Sequence, residues 1–176
     1  MKKTNLKLEQ HEEFKTIIDG EWNFNTKWLK DNKMSVALLP MRYSKPELLN
    51  ILSALKKEGA NNGYAIETCY LDKEFIQSDP GSFFEFELDQ VGINQVCNEG
   101  PELDHIIFTD KHDFVIMSTL EEYWMVASNE HLLEEIIGKP SEIIISEFKL
   151  YIASNQWSEQ ELKYLNGLIM KYPNNN

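Results

Sequence analysis

Within residues 82–91 apolar and acidic side chains alternate from Phe84 to Asp89, with Phe84, Phe86 and Leu88 on one side and Glu85, Glu87 and Asp89 on the other. An extended chain sends successive side chains to opposite faces, so the pattern predicts a half-buried strand with a carboxylate face. That strand needs partners, and the neighbouring sequence offers them. Residues 103–109, 114–118 and 123–127 are short β-prone runs separated by polar turns, the pattern of an antiparallel meander. Residues 34–39, closed by Pro40, suit a buried strand, and residues 64–71 read as another after the turn residues Asn61, Asn62 and Gly63. Strand, helix, strand over residues 34–71 fits either a crossover unit or a split antiparallel arrangement.

Helical periodicity marks the two ends and two inner segments. Leu8, Phe14, Ile17 and Ile18 recur at helix-like intervals before Gly20, and a short second helix carries Trp22, Trp28 and Leu29, whose rings are expected to pack on the core. Ser44 and Glu47 form a capping box with Pro46 in the first turn, an apolar face of Leu48, Ile51, Leu52 and Leu55, and Gly59 as terminator. Residues 129–137 carry a helical stripe of Leu132, Leu133, Ile136 and Ile137, stopped by Gly138 and Pro140. Ser158 and Glu161 make a second capping box ahead of Leu162, Leu165, Leu168 and Ile169, with Trp157 placed to staple onto Leu162. Residues 141–153 fit strand and helix both, and helical spacing of Ile144, Ile145, Phe148 and Ile152 favours helix. The expectation is an α+β fold: one domain over residues 1–176, a single mostly antiparallel sheet of five to six strands, helices largely on one face, helical N- and C-terminal segments, and frayed ends at 1–5 and 173–176.

Charge is distributed unevenly. Residues 67–147 hold nineteen acids against three lysines, whereas residues 1–60 hold eleven basic and eight acidic side chains, within a formal net charge of −12. Such a field repels nucleic acid and anionic membrane and speeds encounter with cationic partners. Composition at 42% hydrophobic supports a folded acidic protein rather than a solvated tail. No apolar run has signal-peptide character at the N-terminus or reaches the length of a membrane span, which predicts a cytoplasmic protein without membrane contact. Cys69 and Cys97 lack metal spacing and are expected to pack as small hydrophobes. Of seventeen cations only Arg42 is arginine, so bidentate phosphate recognition is scarcely available.

Three clusters are candidates for chemistry. The first is the carboxylate strand, Glu85, Glu87 and Asp89, spaced about 7 Å apart along one face and extendable by Glu67, Asp104, Glu121 and Glu122 from neighbouring strands. Its functional reading is a docking face for lysines and arginines; its bland reading is a solubilised sheet surface. The second, from Asp104 and His105 to Asp110, His112 and Asp113, offers ligands for a divalent metal such as zinc or manganese and, as its bland reading, a solvated turn, which the seven-residue separation of His105 and His112 and the missing interior of a calcium loop favour. The third is an anion site at Arg42 and Ser44, where a helix N-terminus offers N–H groups without the glycines of a phosphate cradle. No nucleophile elbow occurs, and His11 and His131 fall in helical patterns without an evident partner. These residues together favour, over an enzyme, a cofactor-free binding protein with no assigned metal site that masks a basic protein partner such as a toxin or nuclease domain, in the manner of a bacterial immunity or antitoxin protein. The competing expectations are a small ligand-binding or hydrolytic enzyme using Arg42 and Ser44, and an interaction subunit presenting a tryptophan.

Overall fold

The computed structural model describes residues 1–20, 22–40, 51–52, 54–111, 113–119 and 123–172. In chain order the elements are β1 (Lys2–Asn5), α1 (Leu8–Lys15), α2 (Thr26–Asp31), β2 (Ser35–Pro40), α3 (described at 51–52 and 54–57), β3 (Asn62–Glu67) and α4 (Thr68–Asp72). They continue with β4 (Ser82–Glu87), α5 (Gln90–Glu99), β5 (His105–Thr109), β6 (Phe114–Ser118), β7 (Tyr123–Ser128), α6 (Glu130–Ile137), α7 (Ser141–Ser154) and α8 (Glu159–Lys171). The strands form one sheet in the order β1-β4-β3-β5-β6-β7-β2, and every neighbouring pair is antiparallel. The fold is α+β, as the strand and helix patterns require. β5, β6 and β7 form the expected meander, with Ile107 opposite Ile116 and Ile116 opposite Val126.

The sheet has seven strands instead of five or six, because residues 2–5, expected to fray, pair with β4: Lys2 opposes Glu85 and Asn5 opposes Ser82. β2 and β3 are not neighbours; β2 pairs with β7, while β3 lies between β4 and β5. Asn62 and Gly63 belong to β3 and not to the preceding turn. Gly63 is needed there because a Cβ would lie 2.4 Å from the ring of Phe86 on β4.

Helices cover both faces of the sheet, rather than chiefly the one face that the sequence pattern implies. On one side Phe14, Leu29, Leu71, Phe148, Leu165 and Leu168 pack on Phe83, Ile106, Phe108, Val115 and Met125. On the other, Ile51, Leu52, Leu55, Ile93, Val96 and Leu133 pack on Phe84, Ile107, Ile116 and Val126. The continuous apolar runs of β6 and β7, buried at every residue, are the sequence correlate of burial on both sides. α7 contributes Ile144 to one cluster and Phe148 and Ile152 to the other, and it packs along β2, covering that edge of the sheet.

Local signals account for several helix ends. Ser158 and Glu161 form the reciprocal cap of α8, Asn129 accepts from the N–H of Leu132 at 3.0 Å, and Gly138 closes α6 in the left-handed conformation. The Ser44 and Glu47 capping box lies outside the described residues, but Ile51, Leu52 and Leu55 of α3 are buried as its stripe implies. α5 replaces the last residues of the expected 82–91 strand. Its Gly92 lies so close to β4 that a Cβ would meet the carbonyl oxygen of Glu87 at 2.1 Å.

Candidate functional site

β4 places the acidic residues. Glu85 is flanked across the ladder by Lys2 on β1 and Tyr64 on β3, on the same face as buried Phe83, and is half-buried. Glu87, opposite Asn62 at the end of the strand, is exposed. The alternation then stops being a strand. The Leu88 N–H donates to the carbonyl of Asn61 at 3.0 Å, and the Asp89 carboxylate accepts from the N–H of Gly92 at 2.7 Å, capping α5. Asp89 is therefore a helix cap and not a third strand carboxylate. The turn still brings it beside the other two. Glu85, Glu87 and Asp89 line one groove of about 380 Å³ with Lys2, Val91, Gln95 and Met1, whose ammonium group donates to the Gln95 side chain, and Val91 is 65% exposed.

Tyr64, opposite Glu85 on β3, also senses carboxylates that periodicity does not single out. Burial of the Tyr64 ring raises its hydroxyl pKa, and the charges of Glu85, Asp110 and Glu13 raise it further. Three carboxylates from β4, the β5–β6 turn and α1 thus act on one point. Tyr64 stacks on Phe83 with ring centroids 5.4 Å apart. Neither Glu13 nor Asp110 is adjacent to β4 in sequence, so only the tertiary fold associates them.

Glu67 and Asp104 do not join that groove. Glu67 is the last residue of β3, five residues from Asn62, which places it roughly 17 Å along the strand from the Glu87 end. There the Glu67 carboxylate accepts from the N–H of Glu102 at 3.3 Å, while the Asp104 carboxylate accepts from the indole N–H of Trp22 at 2.7 Å. The Asp104 carbonyl also accepts from the N–H and hydroxyl of Thr68. Both acids fasten the corner where β3 passes into α4. Glu121 and Glu122 lie outside the described residues, as do Arg42 and Ser44.

The histidine and aspartate run is likewise divided between the two ends of β5. His105 starts the strand and its Nδ1 lies 2.7 Å from the Leu103 carbonyl; Asp113, beyond the far end, accepts from the Thr109 hydroxyl at 2.9 Å. His112 is outside the described residues, among which no group of three or more His, Cys, Asp or Glu side chains is placed to hold a metal ion. His11, without an evident partner in sequence, is 1% exposed, with Nε2 within 3.1 Å of the carbonyls of Tyr70 and Lys73. Cys97 is exposed on α5 instead of packed inward. No helix among the described residues is long and apolar enough to cross a membrane. Comparison of the chain with protein-family models, with curated proteins and with solved structures gives no match.

Proposed function

We propose that this protein binds a basic protein partner through the carboxylates at the β4 end of its sheet and masks the partner's cationic surface. The observation that carries the reading is the groove shared by Glu85, Glu87 and Asp89, with exposed Val91 among its lining residues. Carboxylates beside an apolar projection suit a surface rich in lysine and arginine, where charge directs approach and the apolar contact adds affinity. The potential contributed by Glu13 and Asp110 and the formal net charge of −12 act in the same direction. A toxin or nuclease domain with a cationic cleft is the partner class that such a surface fits, and neutralising it in the cytoplasm, as a bacterial immunity or antitoxin protein does, requires recognition without a cofactor.

The test is affinity capture from a bacterial lysate, followed by titration of the retained protein at increasing salt. A cationic ligand whose dissociation constant rises steeply between 50 and 500 mM salt, by on the order of tenfold or more, is expected. The variant Glu85→Lys, Glu87→Lys, Asp89→Asn should lose that binding. Asparagine at 89 removes the charge and keeps the α5 cap, so loss cannot be assigned to an unravelled helix. Unchanged affinity in the triple variant, or binding indifferent to salt, would overturn the proposal.

A further inference from the structure

The other end of the sheet holds a cavity of about 390 Å³ lined by Trp22, Tyr123, Trp157, Tyr164, Gln160 and Glu161, within the size range of small-ligand sites. Trp22, expected to pack inward, is 45% exposed there. Its position is nevertheless fixed: the indole N–H donates to Asp104 at 2.7 Å, and its backbone carbonyl accepts from the Tyr164 hydroxyl at 3.3 Å. The Tyr123 hydroxyl donates to that of Tyr164 at 2.9 Å, and the Trp157 indole donates to the Ile152 carbonyl at 3.0 Å. Trp157 also packs edge-on against Tyr151, with ring centroids 5.6 Å apart.

These bonds decide what the cavity can recognise. The polar hydrogens of all four aromatic residues are given to protein acceptors, so these side chains offer a ligand ring surface rather than donors. A ring face is the negative part of the aromatic quadrupole. Two carboxylates reinforce that sign. Asp104 touches the Trp22 indole, and Glu161 belongs to the wall, where hydrogen bonds from the Ser158 side chain and backbone hold its carboxyl below its ordinary pKa. An anion would meet the aromatic rings and the Glu161 carboxylate, with the Ser158 hydroxyl and Gln160 amide as the side-chain donors of the wall, whereas a cation with an apolar stem can set its charge at Glu161 and its stem along the rings. The geometry points to a second contact with the same partner: we infer that this cavity receives a single lysine or arginine side chain of the basic protein. The inference rests on the proposed function and makes recognition two-pronged, because a partner touching both sites must extend roughly 17 Å or more along the strand direction.

Two probes separate the inference from the reading beneath it. The first is N-acetyl-arginine methylamide, compared with its uncharged isostere N-acetyl-citrulline methylamide, followed through the indole N–H resonances of Trp22 and Trp157 in the isotopically labelled protein. Shifts of both resonances with the arginine compound, and none at equal concentration of the citrulline compound, are expected. The second is a synthetic peptide of lysine, arginine and glycine. Trp22→Leu should weaken its binding roughly three- to thirtyfold, with Trp22→Phe intermediate because a ring face is retained. Equal shifts with citrulline, or peptide binding unaffected by Trp22→Leu but lost in the Glu85, Glu87 and Asp89 variant, would overturn this inference and leave the proposed function standing. Arginine-specific shifts, with peptide binding unaffected by that triple variant, would instead retain the cavity and remove the β4 groove.

Discussion

Single residues decide how the interior responds to pH. Tyr172 follows α8, is 5% exposed, and donates its hydroxyl to the Phe24 carbonyl at 3.1 Å. Burial raises its pKa far above the ordinary 10.0, offset in part by the bond to Phe24 and aided by the charges of Tyr164 and Asp19. Tyr64 is raised mainly by burial, and Tyr70 mainly by the charge of Asp79. Below pH 10 folded and unfolded chains both keep these protons and the effect on stability is nil. Above pH 10 the unfolded chain releases them while the folded chain retains them, so stability falls as pH rises. Urea unfolding at pH 8 and pH 11 should show a smaller alkaline loss for Tyr172→Phe than for the parent chain. The same variant should be about 1 kcal/mol less stable at pH 8 through the lost hydrogen bond. An identical alkaline slope in both proteins would mean that the buried hydroxyl is not responsible.

Elements were legible in the sequence where local chemistry and tertiary packing agree. α8 announces itself through Ser158 and Glu161, α6 through its apolar stripe and Gly138, and the β5–β6–β7 meander through short runs of Ile, Phe and Val. β1 was not legible, because Lys2, Lys3, Thr4 and Asn5 carry no alternation and become a strand only by pairing with β4. α5 was hidden by the run ahead of it: Asp89 continues an alternating pattern as convincingly as it begins a helix, and Val91, Gly92 and Ile93 are poor helix formers. What settles the conformation is contact, since Gly92 leaves room for the Glu87 carbonyl. The candidate site shares this limit. Glu85 and Glu87 could be placed on one face from spacing, Asp89 reaches the groove by a different route, and Glu67 and Asp104 are carried to the opposite end by strand direction. Two glycine variants test the contact argument. Gly92→Ala should destabilise by roughly 1–3 kcal/mol or more through overpacking at the β4–α5 junction. Gly167→Ala, in α8 with nothing within 4 Å of the added Cβ, should stabilise by about 0.4–1 kcal/mol. Denaturant midpoints that rise for both would show that helix propensity, and not clearance, controls the two positions.

At the scale of the whole molecule, charge is arranged across the sheet. The groove of Glu85, Glu87 and Asp89, which Lys2 and Met1 also line, adjoins β1 and β4 at one edge, while Lys30, Lys33 and Lys171, with Glu130, line a cavity of about 580 Å³ beside β2 at the other. β4 and β2 are five strand spacings apart, roughly 24 Å. With 29 acidic against 17 basic side chains, repulsion between like charges also opposes compaction. Raising sodium chloride from 50 to 500 mM should raise the thermal midpoint by a few degrees as that repulsion is screened. A falling midpoint would assign more weight to ion pairs such as Lys139 with Glu147, 2.8 Å apart, and Lys171 with Asp19, 3.1 Å apart.

Burial of β6 and β7 above and below leaves their side chains little outlet to the surroundings beyond Tyr123 and Trp124 at the start of β7. Whatever this protein greets, it must do so with the rims of its sheet and the backs of its helices. A change of acquaintance can thus be written on the periphery by a handful of exchanges, while the inner ladder that keeps the molecule in shape stays as it was.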